Sequence, residues 1–185
     1  MRGARWLALA GAVIVVACGR PGTGGDDSAT GASTASPTHA RFDDEVKLAD
    51  GRRVGVSYAA GRGLLEQHQD AGTGAWSKPR VVYATKSHPC QSLGLKAFDD
   101  TVAVMANWGY YCADGDPPDE SIAGVGTAGL THWDMKVTKD FDGWEKVTAD
   151  GGAQHLTFTN TSTEWLTRLR WCEGEGFGEV ENIRR

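Results

Sequence analysis

The chain has no strongly basic patch: 19 Lys and Arg stand against 24 Asp and Glu, for a net charge of -5. Nucleic acid is therefore not an expected partner, because phosphate backbones are held by clustered cations. Beyond the apolar stretch near the start there is no second run long enough to span a bilayer. No C-x-x-C pair occurs, and His88, His132 and His155 stand apart from any cysteine pair, so no zinc ligand set is expected. No serine sits in a nucleophile-elbow pattern. No segment carries a convincing helical period, and no cofactor is expected.

What is present begins with Arg2 and Arg5, followed by Trp6-Leu-Ala-Leu-Ala-Gly-Ala-Val-Ile-Val-Val-Ala-Cys18. A positive flank before about a dozen apolar residues is the pattern of an export signal, too short for a spanning helix. Its end, Val15-Val16-Ala17-Cys18, resembles the lipobox of bacterial lipoproteins. The resemblance implies cleavage before Cys18, lipid on its sulfur, and attachment to the extracytoplasmic face of the cell membrane. An exported chain meets oxidising conditions, so its other cysteines can pair. With Cys18 lipidated, Cys90, Cys112 and Cys172 are an odd set. A bridge between Cys90 and Cys112 is expected, with Cys172 left free.

The chain then divides into residues 1–17 as signal, 18–41 as lipidated cysteine and linker, and 42–185 as one folded domain. Residues 19–40 contain no aromatic and no large aliphatic side chain. Such a segment buries too little apolar surface to offset its ordering entropy. As a flexible coil it would reach roughly 25 Å.

From Phe42 onward the apolar residues alternate. Val46 and Leu48 share a face, as do Val54, Val56 and Tyr58, around a turn at Asp50-Gly51. A three-residue loop is expected there, setting Leu48 opposite Val54 and Val46 opposite Val56. The clearest hairpin joins Leu93, Leu95 and Ala97 to Val102, Val104, Ala106 and Trp108. A two-residue loop at Asp99-Asp100 pairs Ala97 with Val102 and Leu95 with Val104. Further strands are expected at 64–68, 81–83, 122–127, 130–137, 144–148, 156–158 and 165–171. About ten strands punctuated by Gly and Asp turns describe an all-β domain of antiparallel sheets.

Two motifs invite other readings. Gly124-Val-Gly-Thr-Ala-Gly129 matches G-x-G-x-x-G, but no helical period follows to hold a pyrophosphate, so it reads as a glycine-rich strand and turn. Asp114, Asp116, Asp119 and Glu120 offer carboxylates without the spacing of a calcium loop, so an acidic solvated loop is expected and no metal.

Tryptophan carries the functional signal. Trp76, Trp108, Trp133, Trp144, Trp165 and Trp171 are spread through the domain. Indoles fill β cores, and they also stack on sugar rings where neighbouring Asp or Asn can hold hydroxyls. Asn107-Trp108 and Trp133-Asp134 have that pairing. The candidate ligand residues are Trp108, Tyr110, Asp114, Asp116, Trp133 and Asp134.

Gly74-Ala-Trp-Ser-Lys-Pro-Arg-Val81, preceded by Asp70-Ala71-Gly72, resembles the repeat of sialidase-type β-propellers, in which an aspartate turn leads into W-S-x-P and a strand. Thr138-Lys-Asp-Phe-Asp-Gly-Trp144 is similar to a second copy. The resemblance implies propeller-like blades and, at full strength, glycoside hydrolysis by an arginine triad with a Tyr–Glu pair. The family's F/Y-R-I-P motif is not found here. The length holds roughly three blades, where closed propellers use four to eight. The domain is thus expected to be either a partial propeller, completed by a partner or by oligomerisation, or a β-sandwich. Its expected function is a non-enzymatic binding or scaffolding module for a glycan or an envelope protein. The alternatives are a sialidase-like hydrolase and a structural envelope protein.

Overall fold

The computed structural model describes residues 41–87, 92–109 and 117–185. The expected lipidation at Cys18, the expected Cys90–Cys112 bridge, and Tyr110, Asp114 and Asp116 lie outside the described residues. Cys172 carries a free thiol and is half-buried.

The domain is all-β and antiparallel. The first sheet runs β1 (Asp44–Lys47), β2 (Arg53–Ala59), β3 (Gly63–His68) and β4 (Arg80–Tyr83). The second runs β5 (Ser92–Phe98), β6 (Thr101–Trp108), β7 (Glu120–Thr127) and β8 (His132–Thr138). The third contains β9 (Lys146–Ala149), β10 (His155–Thr161), β11 (Trp165–Cys172) and β12 (Gly176–Phe177), with β13 (Glu181–Arg184) also paired to β11. Each sheet is laid down by consecutive strands, and none closes into a barrel. Among the described residues no helix is long and apolar enough to cross a membrane.

Alternation along the strands makes the second sheet the centre of a three-layer, sandwich-like stack. Val102, Val104, Ala106 and Trp108 on β6 share a face with Ile122 on β7, and this face meets Val54, Val56 and Leu64 of the first sheet. The opposite face, with Ala103, Ala123 and Val125, meets Val147, Phe158, Leu169 and Trp171 of the third. Strands β6 and β7 are therefore buried on both sides. That explains why they are near-continuous runs of small and apolar residues rather than apolar–polar alternations.

The glycines of β7 follow from the same squeeze. A Cβ on Gly124 would lie 2.5 Å from Met135 Sδ and 2.6 Å from a Val104 methyl, and one on Gly126 would lie 2.7 Å from the Trp133 ring. The G-x-G-x-x-G stretch is thus a strand whose bare faces admit side chains from its neighbours, followed by a single 3-10 turn at Ala128–Leu130. That turn takes the place of the expected strand start at Leu130. Ala128 and Leu130 hold positive φ there, at 50° and 71°. The Arg80 guanidinium ties the turn down by donating to the carbonyls of Leu130 and Thr131. Arg80 also lies 3.5 Å from Glu66, a carboxylate only 1 % exposed that is bonded to His68 Nδ1 at 2.6 Å.

The hairpin at Asp99-Asp100 has the expected register, with Ala97 opposite Val102 and Leu95 opposite Val104; Asp99 takes φ 53° to make the turn. The first hairpin differs. Val46 pairs with Val54 and Lys47 with Arg53, two residues from the expected register. The apolar faces still agree, because a slip of two preserves the side of every residue. The Leu48 N–H donates to the Arg52 carbonyl at 2.8 Å, so three residues, 49–51, make the turn as expected; Leu48 is buried at 3 % exposure, and Asp50 braces the turn through Arg52. The Asp70 turn links β3 to β4: its Oδ1 accepts from the backbone of Gly72 and Thr73 and from the Thr73 hydroxyl. These bonds, the Thr73 backbone first, hold the exposed Asp70 carboxyl below the usual range.

Overfilling the central strand should be costly. Gly124→Ala is expected to lower stability by about 1–3 kcal/mol, because Met135 and Val104 leave no space for a methyl. The check is a urea unfolding curve, in which the midpoint falls while the slope is retained. An unchanged midpoint would mean that the two neighbours yield freely.

Candidate functional site

The candidate ligand residues separate once the layers are in place. Trp108 is 1 % exposed. It is stacked on Tyr83 at 5.7 Å between ring centres and tilted against Tyr58 at 5.5 Å. It seals the seam between the first and second sheets and presents no face to a ligand, which corrects the expectation from the Asn107-Trp108 pair. Trp133 is half-buried over Gly126 and packs into the same seam. Asp134 points to the other side of β8, where it accepts from Trp171 Nε1 at 2.8 Å and meets His132 Nε2 at 3.0 Å. It opens on a small cleft of about 210 Å³ with Glu173 and Glu175. Trp133 and Asp134 are therefore not one site: consecutive residues on a strand face opposite layers. Among the described residues no group of three or more His, Cys, Asp or Glu is placed to hold a metal ion.

Among the described residues the exposed aromatic is a different one. Trp165, at the start of β11, is 43 % exposed. It borders an open cleft of about 370 Å³. One wall comes from the loop between β8 and β9, with Asp140 and Asp142. The other comes from the third sheet, with Asn160 on β10, Thr167 on β11 and Asn182 on β13. The volume lies in the usual range for small-ligand pockets.

Each wall is held by its own bonds. Asn160 Nδ2 donates to the Gly143 carbonyl at 2.7 Å, tying the third sheet to the loop. The Phe141 ring packs on Trp144 at 4.6 Å, and the Phe141 carbonyl accepts from the Ser121 hydroxyl at 2.8 Å. Asp140 and Gly143 take φ of 51° and 95°, which turn the loop sharply and present the two carboxylates. The Thr167 hydroxyl donates to Asn182 Oδ1 at 2.9 Å, which leaves the Asn182 amide donors directed elsewhere. The backbone N–H of Trp165 is held by Ser162 Oγ at 3.1 Å. The cleft thus offers an indole face beside fixed acceptors and donors.

Trp165 lies on the same strand face as Leu169 and Trp171, both of which are buried. Periodicity gives it the same inward label. Its exposure arises because it sits at the strand end, beyond Thr167, and a linear pattern carries no signal for where the covering layer stops. In the sequence the acidic loop at 140–142 lies within the stretch similar to a second sialidase-type repeat, and its two carboxylates were not among the candidate ligand residues. No family model, curated protein or solved structure matches the chain. The chemistry of the cleft is therefore the guide to what it holds.

A pH signature belongs to the seam at Trp108. Burial first, and then the charge of Glu120 and a hydrogen bond to it, push the Tyr83 phenol up to about 12. The folded chain holds this proton more tightly than the unfolded one, whose phenol titrates near 10. The resulting stability is complete below about pH 10 and is lost as pH rises toward about 12. Absorbance titration should resolve one late phenol, and Tyr83→Phe should remove it. Loss of all phenolic protons together near pH 10 would contradict the assignment.

Proposed function

We propose that the protein is a lipid-anchored extracytoplasmic binding module that takes a glycan on the Trp165 cleft. The observation that carries this reading is a solvent-open indole set among Asp140, Asp142, Asn160, Thr167 and Asn182. An aromatic face receives the apolar face of a sugar ring, while amides, hydroxyls and carboxylates meet its hydroxyl groups. Anchorage rests on the lipobox-like end at Cys18 and on the linker that follows, which would hold the domain off the bilayer.

The hydrolase alternative draws less support. A glycosidase needs two carboxyls on either side of the scissile bond. Among the described residues lining the cleft, both carboxylates come from one loop, and the facing wall carries amides and hydroxyls. Arg168 is on the other face of β11 from Trp165 and is paired with Glu181, which also lies near Arg170. A cleft with two carboxylates also repels an anionic sialoside. A purely structural role would leave an exposed tryptophan in a polar cleft without a purpose.

Two experiments test the proposal. Full-length protein in detergent is screened on a glycan array, and a hit is followed with Trp165→Ala. The expected loss is about tenfold or more in affinity, while Trp108→Ala lowers stability instead. No binding on the array, or unchanged affinity in Trp165→Ala, would refute the glycan reading. For the anchor, Cys18→Ser should abolish fatty-acid labelling and release the protein from membranes. Membrane retention unaffected by that change would refute the lipid assignment.

A further inference from the structure

We propose that the end of β10 and β11 opposite Trp165 forms a second binding site, which takes an aliphatic polyamine. Asn160 and Trp165 stand at one end of this strand pair, and Gln154 and Glu173 flank the other. There the turn between β5 and β6, the end of β7 and the loops beside β10 and β11 enclose a cleft of about 400 Å³. The cleft of about 210 Å³ beside Asp134 adjoins it, since Thr127 and Glu173 line both. This site does not rest on the glycan reading.

Uncompensated charge is the first sign of a ligand. Asp99, Asp100 and Glu173 rim the larger cleft, and Glu175 joins Asp134 at the smaller one. Among the described residues Asp99, Asp100, Glu173 and Glu175 have no ion-pair partner, and no Lys or Arg lines either cleft. Like charges gathered without a counter-charge repel one another, and a bound cation relieves that repulsion.

The second sign is independent of charge. Thr101 and Thr127 are only 6 % and 8 % exposed. Val102 pairs with Gly126, so the two threonines are the next residues on adjacent strands. They share the face that carries Ala103 and Val125 toward the third sheet. Both line the larger cleft, and among the described residues neither hydroxyl has a hydrogen-bond partner. Thr127 precedes the 3-10 turn without capping it. Side-chain polar groups this deep are ordinarily bonded. These two open on the cleft instead.

The walls are set before a ligand arrives. The Asp99 carbonyl accepts from the Ala49 N–H at 3.1 Å, and the Glu173 N–H donates to the Gln154 carbonyl at 2.9 Å. Arg80 holds the turn that begins at Ala128. A cleft built in advance loses less to ordering when it binds.

The lining therefore presents oxygen acceptors and negative charge. A metal ion is a poor match, because no three carboxylates converge among the described residues and the space far exceeds an ion. A peptide brings backbone carbonyls that need donors, which carboxylates cannot supply. An alkylammonium group brings three N–H donors, a positive charge and no acceptor. Two or more such groups on a methylene chain fit the two adjoining clefts. One ammonium sits among Asp99, Asp100 and the threonine hydroxyls, and the next beside Asp134 and Glu175, with Glu173 between them. Ala128 and Ala153 meet the methylenes.

Full-length protein in detergent is titrated calorimetrically with spermidine, butylamine, calcium chloride and trilysine, a peptide of the same net charge as spermidine. Spermidine should bind one to one, about tenfold or more tighter than butylamine, and more weakly as salt is raised. Asp100→Asn and Glu173→Gln should each weaken it by about two- to fivefold, the scale of exposed charge pairs. Thr127→Val keeps the shape, removes the hydroxyl and should weaken it by a similar factor. Glu164→Gln, an exposed carboxylate at the Trp165 end, should leave it unchanged. Equal binding of spermidine and butylamine, an affinity untouched by Glu173→Gln and Thr127→Val, or an equal loss in Glu164→Gln would overturn the site. Tighter binding of trilysine or of calcium than of spermidine would overturn the polyamine as its ligand. The comparison of ligands needs no variant, so it decides the matter even if a variant fails to fold.

Discussion

Burial of the second sheet on both faces is the constraint from which the rest of the architecture follows. A sheet covered on one side can carry polar residues on the other; a sheet covered on both cannot. Strands β6 and β7 accordingly run mostly through Val, Ala, Gly and Ile, and two of their polar side chains are tied to neighbours. Ser121 donates to the Phe141 carbonyl, and Asn107 donates to Ser92. The two glycines of β7 belong to the same economy of space, since Met135 and Trp133 lie where their side chains would be. Tryptophans with different surroundings lock the two seams: Trp108 between two tyrosines on one side, Trp171 held through Asp134 on the other.

The candidate site lies where this cover ends. Between β8 and β9 the chain leaves the second sheet for the third, and the crossing loop bears Asp140 and Asp142. The loop is fastened by apolar packing of Phe141 on Trp144 and by backbone bonds from Ser121 and Asn160. The same loop separates two clefts, so one short connection shapes both.

Much of the strand order was legible from alternation. The Asp99-Asp100 hairpin has its expected register because an odd slip would turn every valine outward, and a two-residue loop leaves little freedom. The Asp50 hairpin shows the limit of that argument. A slip of two keeps every face correct, so pattern alone could not separate the expected pairing from the observed one. Strands β12 and β13 leave little pattern to read, because Gly176–Phe177 is two residues long and Glu181–Arg184 carries a single apolar side chain, Ile183. The site was less legible. Trp108 stands beside an asparagine, a pairing suited to a sugar, yet the first sheet covers it. Trp133 and Asp134 are neighbours in sequence and on opposite faces in space.

By itself the sequence determined which side of each strand is apolar, where the turns fall, and that the domain is built of antiparallel sheets. Those are local properties, set by a period of two and by the φ preferences of Gly and Asp. The tertiary structure alone decided that Trp165 meets solvent while Trp171, six residues further on the same face, does not. It also decided that Asp142 lines one cleft with Asn160 and another with Asn107. Exposure at a strand end depends on how far the neighbouring layer reaches. That extent is fixed by the packing of distant segments and leaves no mark in the local pattern.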